Sequence, residues 1–354
     1  MTINQSPNFP KIPRPIAIIG VGGIVTDAHL PAYTIAGWKV IGVYDLDLEK
    51  SKAACKKFSI VHEAYEDLDG LIGEASRANA VFDLAVPANK ILPILDLLPE
   101  RATILIQKPM GETLAEAKEI AKVCTQKNFM AAINFQLKFA PFMLAAKDII
   151  AQGILGTVYD MELKLCTYTP WHLWDFLKEK PRMEVLYHSI HYVDLIRSFL
   201  GIPVKVYGSL ARQLAPLHLA ETRSSILLSY DEFTQARILT NHGHRFGTTH
   251  QESYFKAEGT KGALKITLGL SLDYPKGKPS KLEYYQIEEQ VWKEVPLIGD
   301  WFPHAFIGSM SELQLAAEDP SYEINHDIEA GLQTMELVEA IYNSNATGGT
   351  TINR

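Results

Sequence analysis

The sequence predicts a two-domain chain: a doubly wound, parallel α/β domain, then an α+β domain on a large, mostly antiparallel, open-faced sheet. Three observations carry this. From Pro15 to about Ile133 short apolar runs alternate with helical stretches, the pattern of βαβ units around a parallel sheet. A glycine cluster follows directly on the first run and leads into a helix. After Asn134 the strands lengthen and alternate in polarity, which marks a sheet with one face open. At 354 residues the chain exceeds the size of a single core, so two domains are expected, 1–134 and 135–354.

Taken in order, the segment up to Pro15 carries Pro10, Pro13 and Pro15 and is expected to be an extended arm, mobile or laid across another surface, where it would serve oligomer contacts. Strands are expected at Ile16–Gly20, Val40–Asp45, Ala80–Val86, Thr103–Gln107 and Met130–Ile133. All are nearly uniform in apolar character, as in a sheet covered on both faces. Helices fall at about Ala28–Ala36, Leu48–Phe58, Asn89–Leu98 and Leu114–Lys127. The second domain opens with an amphipathic helix from Phe139 to Ala151 that ends at Gly153. Its strands are Thr157–Thr167, Val204–Arg212, Ser225–Asp231, Ala236–Asn241, Tyr254–Glu258, Ala263–Thr267 and Leu282–Glu288. Helices at Met183–Leu200, Phe302–Ala317 and His326–Asn343 are expected to cover one face of that sheet. No repeat or low-complexity tract interrupts the pattern.

Composition narrows the function. Hydrophobic residues make up 47% and charged residues 21%, which fits an ordinary globular protein. A formal net charge of −7 disfavours nucleic acid or an anionic membrane as partner and leaves a small molecule as the better fit. Cys55, Cys124 and Cys166 share no metal-ligand spacing and read as reduced thiols. The N-terminal segment lacks the charged and apolar regions of a secretory signal, and no apolar run is long enough for a membrane span, so a cytoplasmic location is expected.

The glycine cluster Gly20-Val21-Gly22-Gly23-Ile24-Val25 is a GxGxxG-like loop in the context that gives such a loop meaning. Gly20 permits the tight turn, and Gly22 lets the backbone approach a pyrophosphate at the helix N-terminus. Val25 stands where a third glycine or alanine is usual and is expected to widen the helix-to-strand spacing, which Gly23 would offset. Asp45 ends the second strand, where an acid binds the adenosine ribose hydroxyls. Together these residues predict a Rossmann dinucleotide site. With Leu46 following and no adjacent arginine for a 2′-phosphate, NAD is favoured, NADP being possible.

Lys108, in Ile104-Leu105-Ile106-Gln107-Lys108-Pro109, sits at the carboxyl end of the Thr103–Gln107 strand, where ligands bind in open α/β sheets. There an ammonium can hydrogen-bond a substrate oxygen and stabilise alkoxide character.

Several of these segments resemble the glucose–fructose oxidoreductase / inositol dehydrogenase (Gfo/Idh/MocA) family, in order and over nearly the whole chain. Gly20–Gly23 with His29-Leu30-Pro31-Ala32 resembles its nucleotide loop, Gln107-Lys108-Pro109 its Glu-Lys-Pro motif, and Gly153-Ile154-Leu155-Gly156 its helix-ending turn. His191-Tyr192-Val193-Asp194-Leu195 with Leu200-Gly201 resembles its histidine-bearing helix. Glu258–Gly262 resembles its sheet turn and Ala340–Ser344 its last helix. The resemblance implies an NAD(P)-dependent oxidoreductase acting on the CH–OH group of a sugar or polyol, with Lys108 and His191 flanking the substrate carbon. It adds Ile24, Val86, Pro87, Asn89, Gln107 and Lys108 to the residues expected at the cofactor. It also implies a homodimer or homotetramer formed through the open sheet faces.

Departures from the family pattern concern the proton chemistry. Tyr187 stands four residues before His191, where the family usually has an aspartate to orient the imidazole, so Tyr187 or His188 is expected to take over part of that role. Tyr187, His191 and Asp194 fall on one helical stripe by their spacing. Gln107 replaces a glutamate and removes a negative charge beside Lys108, which should deprotonate more readily. Lys138 replaces a common arginine, and Pro87-Ala88-Asn89-Lys90 lacks the usual histidine.

Tyr168-Thr169-Pro170-Trp171-His172-Leu173-Trp174 concentrates aromatic and hydrogen-bonding groups in one loop. Tyr168, Trp171 and His172 are expected either to face a sugar or to serve as core or subunit contact, with His188 and His244 as further substrate candidates. In Asn241-His242-Gly243-His244-Arg245 two histidines at spacing two, with no cysteine or carboxylate nearby, point to no metal; His244 or Arg245 is expected to reach a substrate hydroxyl or carboxylate. Two other functions share these features. One is a glycosidase that retains NAD and works by transient oxidation, and the other is a sugar- or NAD-sensing regulator.

Overall fold

The computed structural model describes residues 2–214 and 219–350. Met1 of the predicted arm, and residues 215–218 and 351–354 of the second predicted domain, lie outside the described residues. The chain divides into two compact units. One joins Ser6–Ala140 to Phe302–Met335, and the other joins the residues up to Gln5, Pro141–Trp301 and those from Glu336 on.

In the first unit β1 (Ile16–Ile19), β2 (Val40–Tyr44), β3 (Val81–Leu84), β4 (Thr103–Ile106) and β5 (Met130–Ile133) pair in parallel in the order β2-β1-β3-β4-β5. Each lies inside its predicted strand. This is the doubly wound order whose switch point falls between β1 and β3, so the loops after those two strands border the crevice where ligands bind. The connecting helices are α1 (Leu30–Ala36), α2 (Leu48–Lys57), α3 (Leu68–Arg77), α4 (Ile91–Leu97) and α5 (Leu114–Gln126). Side-chain caps start several of them: Asp47 accepts from the Glu49 amide, Asp67 from that of Gly70 and Thr113 from that of Glu116. The sequence pattern did not include α3, whose Gly70 and Gly73 lower its helical propensity; its Asp67 cap and the buried Leu71 and Ala75 secure it.

The second unit contains α6 (Pro141–Ala151), β6 (Val158–Cys166), α7 (Ile190–Leu200), β7 (Lys205–Ala211), β8 (Arg223–Ser229), β9 (Gln235–Asn241), β10 (Glu252–Gly259), β11 (Gly262–Thr267), β12 (Lys281–Gln286) and β13 (Val291–Val295). Later in the chain, α8 (Ala305–Glu318) belongs to the first unit, and α9 (Ile328–Thr347) is counted with the first unit up to Met335 and with the second from Glu336. The eight strands run in the order β13-β12-β11-β10-β6-β9-β8-β7, antiparallel throughout except for the parallel pair β6 and β9. β13 is a further strand beyond those expected. β8 ends at Ser229 because Asp231 turns the chain by accepting from the amides of Phe233 and Thr234. Alternation along β6, β9 and β10 buries Leu163, Ile238 and Phe255 on one face. The other face carries ion pairs such as Arg237 with Asp160 and Lys164 with Glu252. The edge strand β7 is covered by the C-terminal part of α9, whose Ser344 and Asn345 accept from the amides of Gly208 and Leu210.

One helix departs from its expected placement, α8. This helix was expected over the second sheet, yet it packs within the first unit, where Phe306, Ile307, Met310 and Leu313 join a core with Ile16, Ile18, Val25, Leu105 and Ala132. Ala305–Ser311 are all buried, so the helix needs cover on more than one side. The N-terminal arm supplies part of it. Ser311 donates to the Asn8 carbonyl, Gln314 accepts from the Arg14 amide, and Glu318 accepts from the amides of Lys11 and Ile12. Residues 6–14 of the arm are therefore spent on their own unit. Among the described residues no helix is long and apolar enough to cross a membrane.

Candidate active site

Gly20 follows β1 at φ 93°, and a Cβ there would lie 2.5 Å from the Ala85 carbonyl oxygen at the end of β3, so only glycine fits. A Cβ at Gly22 would meet no atom within 4 Å, which leaves the loop face open to a bulky anion. Asp45 reaches this loop from the end of β2. One carboxylate oxygen accepts from the Val21 amide at 2.7 Å and the other from the Asp47 amide at 2.9 Å, so the acid is oriented by backbone and retains acceptor capacity. Val86 and Pro87 border the same switch point, Val86 Cγ1 lying 3.1 Å from the Cβ position of Gly20, while Asn89 is exposed in the short turn that follows. These features fit a dinucleotide.

Val25, expected to push the helix away from the sheet, is fully buried and opens a π-helical turn over Val25–His29 before α1 begins. The wider turn accommodates the side chain that a glycine would have avoided. The turn carries His29 into a buried polar network. His29 Nδ1 and the Tyr33 hydroxyl both lie 2.7 Å from Asp83 Oδ2, and His29 Nε2 lies 3.5 Å from the Asn134 amide nitrogen. Asn134 in turn accepts from Ser309 at 2.7 Å. Asp83, in the middle of β3, is 0% exposed. Nothing in the sequence pattern singled it out.

Lys108 follows β4 and is half-buried, with its ammonium crowded by protein atoms; the resulting desolvation lowers its pKa from 10.5 to about 8. Gln107 keeps a buried side-chain oxygen that accepts no hydrogen bond among the described residues. Lys138 is completely buried, donates to the Asn325 carbonyl at 3.3 Å and so acts inside the first unit.

In the second unit the predicted helix Met183–Leu200 is two pieces, a π-helical segment Glu184–Ser189 and α7. His191 lies in the first turn of α7, 9% exposed, with its ring edge-on to Trp301 at 6.3 Å. Asp194 is paired with Arg197 at 3.1 Å. Tyr187 is half-buried against Phe176, ring centroids 5.7 Å apart, beside a cluster of Trp171, Leu177, Met183 and Leu219. Trp171 belongs to that cluster and packs on His242 at 4.9 Å, which assigns it to packing, whereas Tyr168 and His172 are exposed. His244 lies 3.7 Å from Cys166 Sγ, and Arg245 is exposed. His188 faces inward between His242 and Tyr192, at ring distances of 4.3 and 5.4 Å.

Comparison with known proteins accords with this geometry. Residues 14–135 match the model described as "Oxidoreductase family, NAD-binding Rossmann fold", and residues 143–265 match the "GFO/IDH/MocA C-terminal domain". D-apiose dehydrogenase of Rhizobium rhizogenes is 20% identical over 94% of this chain and 96% of its own length. An inositol 2-dehydrogenase/D-chiro-inositol 3-dehydrogenase of Lacticaseibacillus casei is 27% identical over 40% of this chain; that match spans 41% of the relative. An oxidoreductase of Agrobacterium radiobacter, solved with NAD+, L-tartaric acid and magnesium, superposes with a TM-score of 0.78 at 18% identity and covers 96% of this chain and 98% of that one. The chain belongs to the Gfo/Idh/MocA family of oxidoreductases, and its cofactor is NAD or NADP.

Proposed function

We propose that the protein transfers hydride reversibly between the nicotinamide and a carbinol or carbonyl carbon of a sugar or polyol. The observation that carries this reading is Lys108 at the carboxyl end of β4, with its pKa held near 8 by burial on the unit that bears the glycine loop. Bound nicotinamide supplies the hydride acceptor or donor. The chain supplies the proton handling: neutral Lys108 accepts the hydroxyl proton as the carbinol is oxidised and returns it in reduction, with His191 as the second acid/base group. Tyr187 stands in for the family's aspartate. Tyr168, His172, His244 and Arg245 are the polar groups of the second unit offered to substrate hydroxyls, and Tyr207, Leu239 and Trp292 on the sheet strands are the exposed apolar side chains offered to a second copy in a dimer or tetramer.

Purified protein with NAD, screened against sugars and polyols for the absorbance of reduced nicotinamide, tests the reading. Net NADH supports it; release of an aglycone without NADH, or binding without either product, overturns it. On the active substrate Tyr187→Phe should lower kcat about 10²-fold, and unchanged turnover removes Tyr187 from the mechanism.

Asp45 is proposed to select NAD through the ribose hydroxyls. Asp45→Ala should weaken NAD about 100-fold in a calorimetric titration, since a charge-assisted bond to the ligand and the brace on Val21 are lost together. NAD bound as tightly as by wild type would reject the assignment.

A further inference from the structure

The polar cluster that the proposed hydride transfer leaves unused lies in the second unit. Glu184 is 0% exposed and His242 1% exposed, and with His188 they bring one ligand atom each to within 4.8 Å of one another. We propose that Glu184, His188 and His242 form a binding site for one divalent first-row transition cation, of which zinc is the representative.

The donor set and its surroundings point to a cation. Two imidazoles and a carboxylate suit zinc, iron or cobalt better than magnesium or calcium, which favour all-oxygen cages. Three protein ligands also leave a coordination position open. Glu184 Oε1 accepts from Ser189 and lies 3.4 Å from His242 Nε2, while the equally buried Oε2 accepts no hydrogen bond among the described residues. An anionic oxygen buried in this way is costly without a positive partner. His242 Nδ1 is 2.7 Å from Thr169 Oγ1, the outer hydrogen bond that fixes a liganding imidazole with Nε2 directed at the metal. Glu221, 8% exposed and held by the Met183 amide at 2.9 Å, is a second buried carboxyl, close enough to feel the charge of Glu184.

Local geometry supplies the rest. Glu184 and His188 are four residues apart in the π-helical segment, so their side chains lie on neighbouring turns of one helix. His242 arrives from just beyond the end of β9, edge-on to His188 with ring centroids 4.3 Å apart. Local spacing shows no carboxylate near His242 because Glu184 is 58 residues away in the sequence, and only the fold joins them.

The test uses the full chain, stripped with chelator and titrated with zinc chloride by calorimetry, with Co2+ as a spectroscopic probe. The proposal requires one zinc per chain and visible absorption of four- or five-coordinate Co2+. It further requires binding weakened at least about 100-fold in Glu184→Gln and in His188→Asn, both checked by circular dichroism and melting temperature. His172→Ala with His244→Ala, at two other histidines of this unit, should leave zinc affinity unchanged. Absence of stoichiometric binding by the wild type overturns the proposal, as does affinity that survives Glu184→Gln and His188→Asn in folded protein or that falls only in the His172/His244 variant. Each readout is independent of hydride transfer, so failure of one idea is distinguishable from failure of the other.

Discussion

Lys108→Ala should lower kcat for the oxidation of its sugar or polyol about 10³-fold while leaving NAD affinity in place, because the lost group handles the substrate proton. The wild-type pH profile gives the sign. Burial lowers the pKa from 10.5 to about 8, so at pH 7 about a tenth of the molecules carry the neutral amine that accepts a proton, and at pH 8 about half do. Oxidation should therefore rise with pH and level off above about 8, whereas reduction, which needs the ammonium, should fall over the same range. Lys108→Arg keeps a positive charge that does not titrate here and should lose the rising limb along with turnover. Stability supplies the control. A lysine whose folded pKa is depressed costs stability at neutral pH, a cost relieved as pH rises from about 8 toward its unfolded value near 10.5. Lys108→Met should accordingly melt no lower than wild type while losing activity. Wild-type turnover in Lys108→Ala, or a collapse of Tm that accounts for the lost activity, would refute the catalytic role.

The frame of this site was legible in the chain. Uniform apolar runs located all five strands of the parallel sheet, and Gly20 announced its close approach to Ala85 through its position after β1. Other features were invisible for definable reasons. Local pattern describes a helix without naming the sheet it packs on, so α8, buried over most of its length, was placed over the wrong one. Periodicity marks Met183–Leu200 as helical but does not distinguish a π segment from an α one, so the change from π to α between Ser189 and Ile190 was not visible. An aspartate inside the run Ala80–Val86 was the one polar signal in that strand. Its meaning required His29 and Tyr33, 54 and 50 residues away in the sequence and 2.7 Å away in space.

That aspartate carries the second large effect. Asp83→Ala should destabilise the protein by about 3–5 kcal/mol, read from urea or thermal unfolding of the full chain, because it leaves the buried His29 imidazole and Tyr33 hydroxyl without their common acceptor. Against a total stability of roughly 5–15 kcal/mol this approaches loss of the fold. Burial and the neighbouring carboxylate together push the Tyr33 pKa upward, so the phenol stays protonated and is available as a donor. Asp83→Asn keeps an acceptor oxygen and should cost less than Asp83→Ala. Tyr33→Phe removes a single donor and should cost about 1–2 kcal/mol, with strong non-additivity when combined with Asp83→Ala, since the two residues share one bond. His29 ends the π turn that the glycine loop leads into, so the network also braces the nucleotide site. NAD should then raise the melting temperature of Asp83→Ala in proportion to how much of the loop survives, since ligand stabilises only the state that binds it. A loss below about 1 kcal/mol in Asp83→Ala would show that the network is not what holds α1 to β3.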